Sequence, residues 1–190
     1  MDIRETIRNY VPFNAQEAAD KAMILDFLSK NDDAFYRTNL VAHMTASAWV
    51  VNPSRDRVLM VYHKIYDSWS WTGGHADGDE NLARVALREV QEETGVRSAR
   101  LLTDNIFSLE SLTVDGHEKH GAYVPSHLHL NVTYLLEADD TDPLTVYEEE
   151  NSGVRWFGLD EALCASSEPW FVDRIYRKLN EKLLKLFPAQ

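Results

Sequence analysis

The sequence has a single cysteine, Cys164, and few basic residues, 19 against 31 acidic ones. One cysteine excludes an intramolecular disulfide and a cysteine-based zinc cluster. The net charge of −12 argues against broad binding to nucleic acids or to anionic membranes, because both require a basic surface. The sequence also lacks an N-terminal apolar signal core and any apolar run long enough to span a bilayer. We therefore expect a cytoplasmic protein.

A helix is predicted over residues 81–94, where no residue breaks the pattern. Asp79 can cap its start, and Gly95 occupies the place of a left-handed C-terminal residue. Three glutamates at helical i, i+3 and i+4 positions share one face: Glu89, Glu92 and Glu93. Like charges at these spacings each cost about 0.2–0.5 kcal/mol, so the cluster indicates a bound cation. Carboxylate oxygens suit Mg²⁺ or Mn²⁺. The alternative is a solvated acidic helix face.

The residues around this helix also match a longer pattern without a gap. The pattern reads Gly, five residues, Glu, seven residues, and then Arg-Glu-apolar-any-Glu-Glu-any-Gly-apolar. Its fixed positions are filled by Gly74, Glu80, Arg88, Glu89, Val90, Glu92, Glu93, Gly95 and Val96. This is the Nudix box, and the sequence resembles a Nudix hydrolase over roughly residues 43–165.

The resemblance implies the fold class. Nudix proteins have an α/β/α sandwich in which helices flank a mixed sheet, and we expect this fold in a catalytic core over residues 43–165. Helical spacing predicts an N-terminal helical extension within residues 1–40 and a C-terminal helix over residues 168–187. We expect one domain over residues 1–190, with the extension covering a flank of the core rather than forming a lid or a dimer arm. A homodimer stays possible.

The resemblance also implies an activity. Nudix hydrolases mostly cleave a nucleoside diphosphate linked to another group, by water attack on phosphorus with help from Mg²⁺ or Mn²⁺. Carried over by position, the metal ligands are Glu89, Glu92, Glu93 and the Gly73 carbonyl. Arg88 resembles the arginine that orients these carboxylates. The general base stays open between the box glutamates and the loop residues Glu149 and Glu150, which could equally ligate the metal.

More than one substrate and more than one function class stay open. The sequence motifs that distinguish family members by substrate are mostly missing. A nucleoside triphosphate and a nucleotide sugar are therefore both possible small-molecule substrates. A non-catalytic nucleotide-binding Nudix domain is the alternative from another class. An isopentenyl-diphosphate-type isomerase is less favoured, because it needs a catalytic cysteine and Cys164 lies well beyond the box.

The strand predicted at residues 126–137 alternates an apolar face with a mostly polar one that carries His127 and His129. We expect these histidines, with Trp69 or Trp71, to line the substrate pocket. The alternatives are packing for the tryptophans and an ordinary surface position for the histidines. Zinc is less favoured, since no motif completes a ligand set for the group His117, His120, His127 and His129.

Overall fold

The computed structural model describes residues 2–119 and 121–188. Its helices are α1 (Ile3–Asn9), α2 (Ala15–Lys30), α3 (Leu82–Thr94), α4 (Leu159–Ala165), α5 (Pro169–Phe171) and α6 (Arg177–Leu186), with a π-helical turn at Val172–Tyr176 between the last two. In this described part of the chain, no helix has the length and apolar character that a membrane crossing requires.

Strands lie before and after the box helix α3. They are β1 (Ala42–Val51), β2 (Arg57–His63), β3 (Ser68–Ser70), β4 (Thr72–His75), β5 (Arg100–Leu101), β6 (Ser108–Val114), β7 (His117–Lys119), β8 (Ala122–Val124), β9 (His127–Glu137) and β10 (Asn151–Gly158). Among the described residues, eight of them form one sheet in the order β10-β2-β1-β9-β5, with β3 paired to β2, β4 to β1 and β6 to β9. Strands β7 and β8 form a separate hairpin.

The sheet is mixed, as expected. Leu128 N donates to Val41 O at 3.0 Å and Ala138 N donates to Val51 O at 2.9 Å. Both bonds advance in the same direction along the two segments, so β1 and β9 run parallel. Strands β10 and β2 pair antiparallel, as do β6 and β9. Together with helices near both ends of the chain, this sheet confirms the predicted α/β class.

Contacts divide the chain into two compact units. Unit 1 comprises Met1–Ser47, Gly73–Ala86 and Thr103–Tyr134, and unit 2 comprises Ala48–Thr72, Leu87–Leu102 and Leu135–Gln190. Strands β1 and β9 and helix α3 contribute residues to both. The single domain over residues 1–190 stays a prediction.

Helix α2, in unit 1, begins directly after its capping residue, Asn14. The Asn14 side chain accepts a hydrogen bond from Glu17 N at 2.9 Å. The Glu17 carboxylate is fully buried and accepts from Phe13 N at 2.7 Å and from Ser108 Oγ at 2.7 Å. These bonds tie α2 to β6. Helix α1 is not indicated by the sequence pattern, because its seven residues place only Ile3 and Ile7 in a core.

Helix α3 differs from the prediction at its start. The Asn81 side chain accepts from Arg84 N at 3.1 Å, so Asn81 is the capping residue. Asp79 lies before the cap and accepts from Asn81 N at 2.8 Å. The predicted cap was therefore displaced by two residues. Gly95 has φ of 74°, which confirms the left-handed residue at the end of the helix.

Helix α6 and the π-helical turn anchor the C-terminal segment in unit 2. Tyr176 is fully buried, its ring stacks on Trp49 at 5.4 Å, and its hydroxyl lies 3.2 Å from Ser70 Oγ. Leu179 and Leu183 continue the buried face. The predicted helix over residues 168–187 is thus present as three connected helical segments.

Strand β9 is buried on both faces from Leu130 onward. The apolar set is in the core, as the alternation predicts. The polar set is also buried, and both Asn131 and Thr133 are fully covered. The strand therefore has no solvated face over this stretch.

Candidate functional site

The three glutamates of the box stand in unit 2, on the second half of α3. Their environments differ. Glu93 is buried, with 4% of its surface exposed, Glu89 is half-buried, and Glu92 is exposed. The cluster therefore extends from the buried Glu93, through the half-buried Glu89, to the solvent-exposed Glu92.

Each of these carboxylates has a polar partner, and two of them share the same one. Arg88 Nη2 donates to Glu89 Oε1 at 2.8 Å, and Arg88 Nε lies 3.9 Å from Glu92 Oε1. Asn151 Nδ2 donates to Glu93 Oε1 at 3.3 Å. Arg88 thus contacts two of the three glutamates, and Asn151 holds the third.

The charge of the cluster is not balanced by Arg88. Burial raises the pKa of Glu89 above its ordinary value, and the negative charges of Glu92 and Glu150 raise it further. The hydrogen bond and the charge of Arg88 lower that pKa, but burial is the largest effect. A cation beside Glu89 would favour its ionised form.

The donor set fits a hard divalent cation. Asn151 Oδ1 is buried and has no hydrogen-bond partner in the part of the chain that the structure describes. A buried amide oxygen without a partner costs free energy, and a cation can supply what it lacks. Together with the carboxylates it offers only oxygen ligands, as Mg²⁺ or Mn²⁺ requires. Sequence reasoning missed Asn151, whose signal is its place directly after three consecutive glutamates.

The two loop candidates for the general base differ in their surroundings. Glu149 is exposed and its Oε2 accepts from Tyr147 OH at 2.8 Å. Glu150 is half-buried, and its charge acts on Glu89. Its backbone oxygen accepts from Lys64 N at 3.0 Å, which fixes the loop to the end of β2. The charge of Glu150 thus acts on one of the box glutamates.

Gly73 is required for the approach of β4 to β1 in unit 1. A Cβ atom at residue 73 would lie 2.4 Å from Ser47 Oγ and 2.7 Å from Ala46 O. Both distances are shorter than any ordinary contact. The role of its carbonyl as a metal ligand stays a prediction.

The polar face of β9 is satisfied by a buried network in unit 1. Thr45 Oγ1 and Ser47 Oγ donate to Asn131 Oδ1 at 2.9 Å and 3.0 Å. Asn131 Nδ2 and Thr133 Oγ1 both bond to Glu110 Oε2, at 3.2 Å and 2.8 Å. Buried polar groups paired in this way stabilise one strand register.

The two tryptophans predicted to contact substrate lie in the aromatic packing of unit 2. Trp71 is 7% exposed and meets Tyr176 edge-on at 5.8 Å. Trp69 is half-buried and packs edge-on against Phe157 at 4.8 Å and Tyr62 at 5.4 Å. These are the contacts of packing residues.

A cluster of histidines occupies unit 1. Three imidazoles from β1, β4 and β9 place one ligand nitrogen each within 4.8 Å of the others: His43, His75 and His129. His127 joins them, with its Nε2 atom 3.2 Å from His129 Nε2. His117 lies apart, bonded through Nδ1 to Asp115 O at 2.9 Å, and His120 is outside the described residues. Sequence reasoning missed His43 and His75, since no spacing motif links them to β9.

Comparison with known sequences gives a family. The model of the NUDIX domain matches residues 41–179. The asymmetrical bis(5'-nucleosyl)-tetraphosphatase of Rattus norvegicus is 35% identical over 95 residues, which cover 50% of this chain and 58% of that protein. A CMP-5'-(N-acetyl-N-hydroxy-3-aminopropyl)phosphonate hydrolase of Streptomyces rubellomurinus is 33% identical over 121 residues, 62% of this chain and 52% of that protein. The chain thus spans little more than half the length of these relatives.

Comparison with solved structures gives the same fold. A C. elegans Ap4A hydrolase in a binary complex superposes with a TM-score of 0.52 at 18% identity, covering 75% of this chain and 96% of that one. The Nudix hydrolase RenU of M. smegmatis superposes with a TM-score of 0.56 at 16% identity, covering 78% of this chain and 89% of that one. At such identities the likeness concerns the fold alone.

Proposed function

This chain belongs to the Nudix family, and we propose that it is a metal-dependent hydrolase of phosphoric anhydride linkages in nucleoside 5'-phosphate derivatives. The observation that carries the proposal is the box helix. Its three glutamates share one face, two of them contact Arg88, and the third is buried against Asn151. Such a cluster is costly to the fold unless a cation binds it.

The proposed cation ligands are Glu89, Glu92 and Glu93, with the Gly73 carbonyl as a further ligand by family resemblance. A bound Mg²⁺ or Mn²⁺ would neutralise phosphate charge and acidify a water molecule. Arg88 orients Glu89 and Glu92 through its guanidinium group. Asn151 fixes the rotamer of Glu93, so that the buried carboxylate keeps one position before metal binds.

For the general base we favour Glu150 over Glu149. Glu150 is close enough to Glu89 for its charge to act on that group, and a base must lie within reach of the attacking water. Glu149 is exposed and its carboxylate accepts the Tyr147 hydroxyl. The box glutamates remain the other source of a base.

The names of two relatives guide the substrate class. One acts on a bis(5'-nucleosyl) tetraphosphate and the other on a CMP-5'-linked phosphonate. Both names describe a nucleoside 5'-phosphate joined to a further phosphorus-containing group. We therefore place dinucleoside polyphosphates first, followed by the nucleoside triphosphates and nucleotide sugars expected from the sequence. With a net charge of −12, this protein would bind such anions together with their divalent cations.

The contacts of the four proposed pocket residues support a role in substrate binding to different degrees. Contacts of Trp69 and Trp71 favour packing, as described above. His127 and His129 stay candidates for substrate contact, although the histidines around His129 also support a metal-binding role. A homodimer and a cytoplasmic location stay predictions.

A substrate panel tests the proposal. Diadenosine tetraphosphate, ATP, a CMP-linked phosphonate and a nucleotide sugar would be incubated with Mg²⁺ or Mn²⁺, and the products separated by chromatography. Hydrolysis in water enriched in ¹⁸O shows which phosphorus is attacked. We expect metal-dependent cleavage of at least one compound, lost in Glu92→Gln and kept in Glu181→Gln, an exposed glutamate on α6. Binding without turnover, measured by calorimetry, would instead indicate the non-catalytic domain.

A further inference from the structure

The histidine cluster of unit 1 is built from separate strands and is largely withdrawn from water. His43 is 3% exposed, and His75 and His129 are half-buried. Their rings are nearly equidistant, with centroids 5.0 Å apart for His43 and His75, 5.0 Å for His43 and His129, and 4.9 Å for His75 and His129. Three imidazoles thus surround one point.

Hydrogen bonds to backbone carbonyls set two of the tautomers. His43 Nδ1 lies 3.0 Å from Asn39 O, and His127 Nδ1 lies 2.8 Å from Pro125 O. A carbonyl oxygen only accepts, so both Nδ1 atoms carry a proton, and in the neutral ring the lone pair is on Nε2. Metal-binding histidines commonly use the second ring nitrogen in this way, which fixes the ring and its tautomer.

One of these lone pairs has no hydrogen bond. His43 Nε2 is buried and has no partner within the described residues. An unpaired buried acceptor is costly, and a network of neutral histidines alone would leave that cost unmet. His43 belongs to the group of three histidines that each place one ring nitrogen within 4.8 Å of the others.

Burial lowers the pKa of His43 and the pKa of His129, because both rings are shielded from water. Arg37 adds positive charge nearby, but its Nε donates to Asp77 Oδ1 at 2.7 Å, so that charge is largely paired.

We propose that His43, His75 and His129 bind a transition-metal ion, Zn²⁺ in the first place, with His127 as the fourth ligand. Zn–N bonds of about 2.0–2.1 Å in a tetrahedral site place ligand nitrogens roughly 3.3 Å apart. His127 Nε2 and His129 Nε2 already lie 3.2 Å apart. The ligand nitrogens of His43, His75 and His129, within 4.8 Å of one another, reach this spacing by shifts on the order of 1 Å. Mg²⁺ is excluded by the donor type, since it takes oxygen ligands.

This site is distinct in chemistry from the box glutamates. It offers nitrogen donors only, whereas the cluster on α3 offers oxygen donors. Its ligands come from β1, β4 and β9 within unit 1, so bound Zn²⁺ would cross-link three strands. Binding would therefore stabilise that part of the fold.

Cobalt titration of the parent protein tests the proposal directly. The chain is prepared without a polyhistidine tag, stripped with a chelator and titrated with Co²⁺. Tetrahedral nitrogen-ligated Co²⁺ absorbs strongly in the visible range, while octahedral oxygen-ligated Co²⁺ absorbs weakly. We expect a strong band that saturates at one equivalent, disappears when Zn²⁺ is added and persists in excess Mg²⁺. Absence of the band, together with no zinc retained after dialysis, overturns the proposal.

Matched variants locate the site. His43→Gln, His75→Gln and His129→Gln should each lose the band and the retained zinc, while His117→Gln, in the same unit but outside the cluster, keeps both. Glu92→Gln should also keep both even though it loses turnover, which separates this proposal from the proposed function. Circular dichroism identifies any variant that does not fold. If the cluster variants do not fold, the cobalt titration of the parent protein decides whether the metal site exists. An unchanged band in all three folded cluster variants would refute the assignment.

Discussion

Asn151 Nδ2 donates to Glu93 Oε1 at 3.3 Å, which connects the first residue of β10 to the buried glutamate of the box helix. The two residues are 58 positions apart in the sequence. The other side of the amide, Oδ1, is buried without a hydrogen-bond partner in the described part of the molecule. We infer that Asn151 positions Glu93 and presents an oxygen to the proposed cation.

Replacing Asn151 by alanine should weaken metal binding. Loss of a residue that orients a metal ligand typically costs about 10- to 100-fold in affinity or activity. The Mg²⁺ concentration for half-maximal hydrolysis should rise, with less change at saturating metal. Asn105→Ala, at an exposed loop position, serves as the control. The same Mg²⁺ dependence in both variants would remove Asn151 from the site.

Replacing Glu92 by glutamine should abolish most turnover while the fold is kept. The side chain is exposed, and its charge repels Glu89 when no metal is bound. Loss of that charge should leave the metal-free protein as stable as before or slightly more so. Turnover should fall by about 100-fold or more, since a ligand matters at least as much as the groups that orient it. Steady-state rates and chemical denaturation measure the two effects, and full activity of both Glu92→Gln and Glu93→Gln would show that the catalytic assignment is wrong.

Divalent metal should stabilise the chelator-treated protein. The carboxylates are gathered only when α3 is folded, so metal binds the folded state preferentially. At a hundredfold excess over the dissociation constant, the gain is about 2.7 kcal/mol. Thermal melts with and without millimolar Mg²⁺ would measure it, and Glu92→Gln should show a smaller gain. A melting temperature that Mg²⁺ and Mn²⁺ leave unmoved contradicts the oxygen-ligand site.

Alkaline pH should destabilise the fold partly through Tyr134. Burial raises the pKa of Tyr134 to about 12, above its ordinary value near 10. The folded state therefore keeps a proton that the unfolded state releases, and the stability present below pH 10 is lost as pH rises through 12. Two pKa units correspond to about 3 kcal/mol at most.

Comparison of variants isolates this contribution from that of Tyr10 and Tyr176, whose pKa values burial also raises. Tyr134→Phe should lose less stability than the parent between pH 9 and pH 11 in urea denaturation. Tyr123→Phe, at a position 70% exposed, should follow the parent. Parallel curves for the parent and Tyr134→Phe would show that Tyr134 does not titrate as described.

Replacing Cys164 by serine should leave hydrolysis unchanged. The thiol is exposed on α4, and the proposed chemistry uses no cysteine. An isopentenyl-diphosphate-type isomerase would lose its activity with this thiol. Isomerase and hydrolase assays of the parent and the variant separate the two functions. An isomerase activity of the parent that is lost in folded Cys164→Ser would favour the isomerase, and loss of hydrolysis would contradict this prediction.

The box helix could be predicted from sequence because its information is local. Helical spacing, the ending at Gly95 and the shared face of the glutamates all lie within about four turns of helix. The cap was displaced from Asp79 to Asn81 because both residues can accept a backbone hydrogen bond, and the sequence does not say which one does. The position of a helix cap is therefore hard to predict where two neighbouring side chains can both accept the backbone hydrogen bond.

The histidine cluster and Asn151 could not be predicted, because strand pairing brings them to their partners. His43 and His129 lie on the neighbouring strands β1 and β9, far apart in the sequence. The buried polar side chains of β9 likewise depend on partners distant in the sequence, namely Thr45, Ser47 and Glu110. Alternation along one strand identifies faces but does not say what covers each of them.

Gly73 shows how a site can depend on an absent atom. Every other amino acid begins with a Cβ, and at this position that atom would overlap Ser47 Oγ and Ala46 O whatever side chain follows it. The size, charge and polarity of the new side chain are then irrelevant. All nineteen substitutions at residue 73 should disturb the packing of β4 against β1 to a similar extent, with no gradation by side-chain type. Tolerance could be regained only from the opposite strand. Ser47→Gly removes the Oγ contact and leaves those with Ala46 O and Ser47 Cα, so it is expected to rescue Gly73→Ala in part.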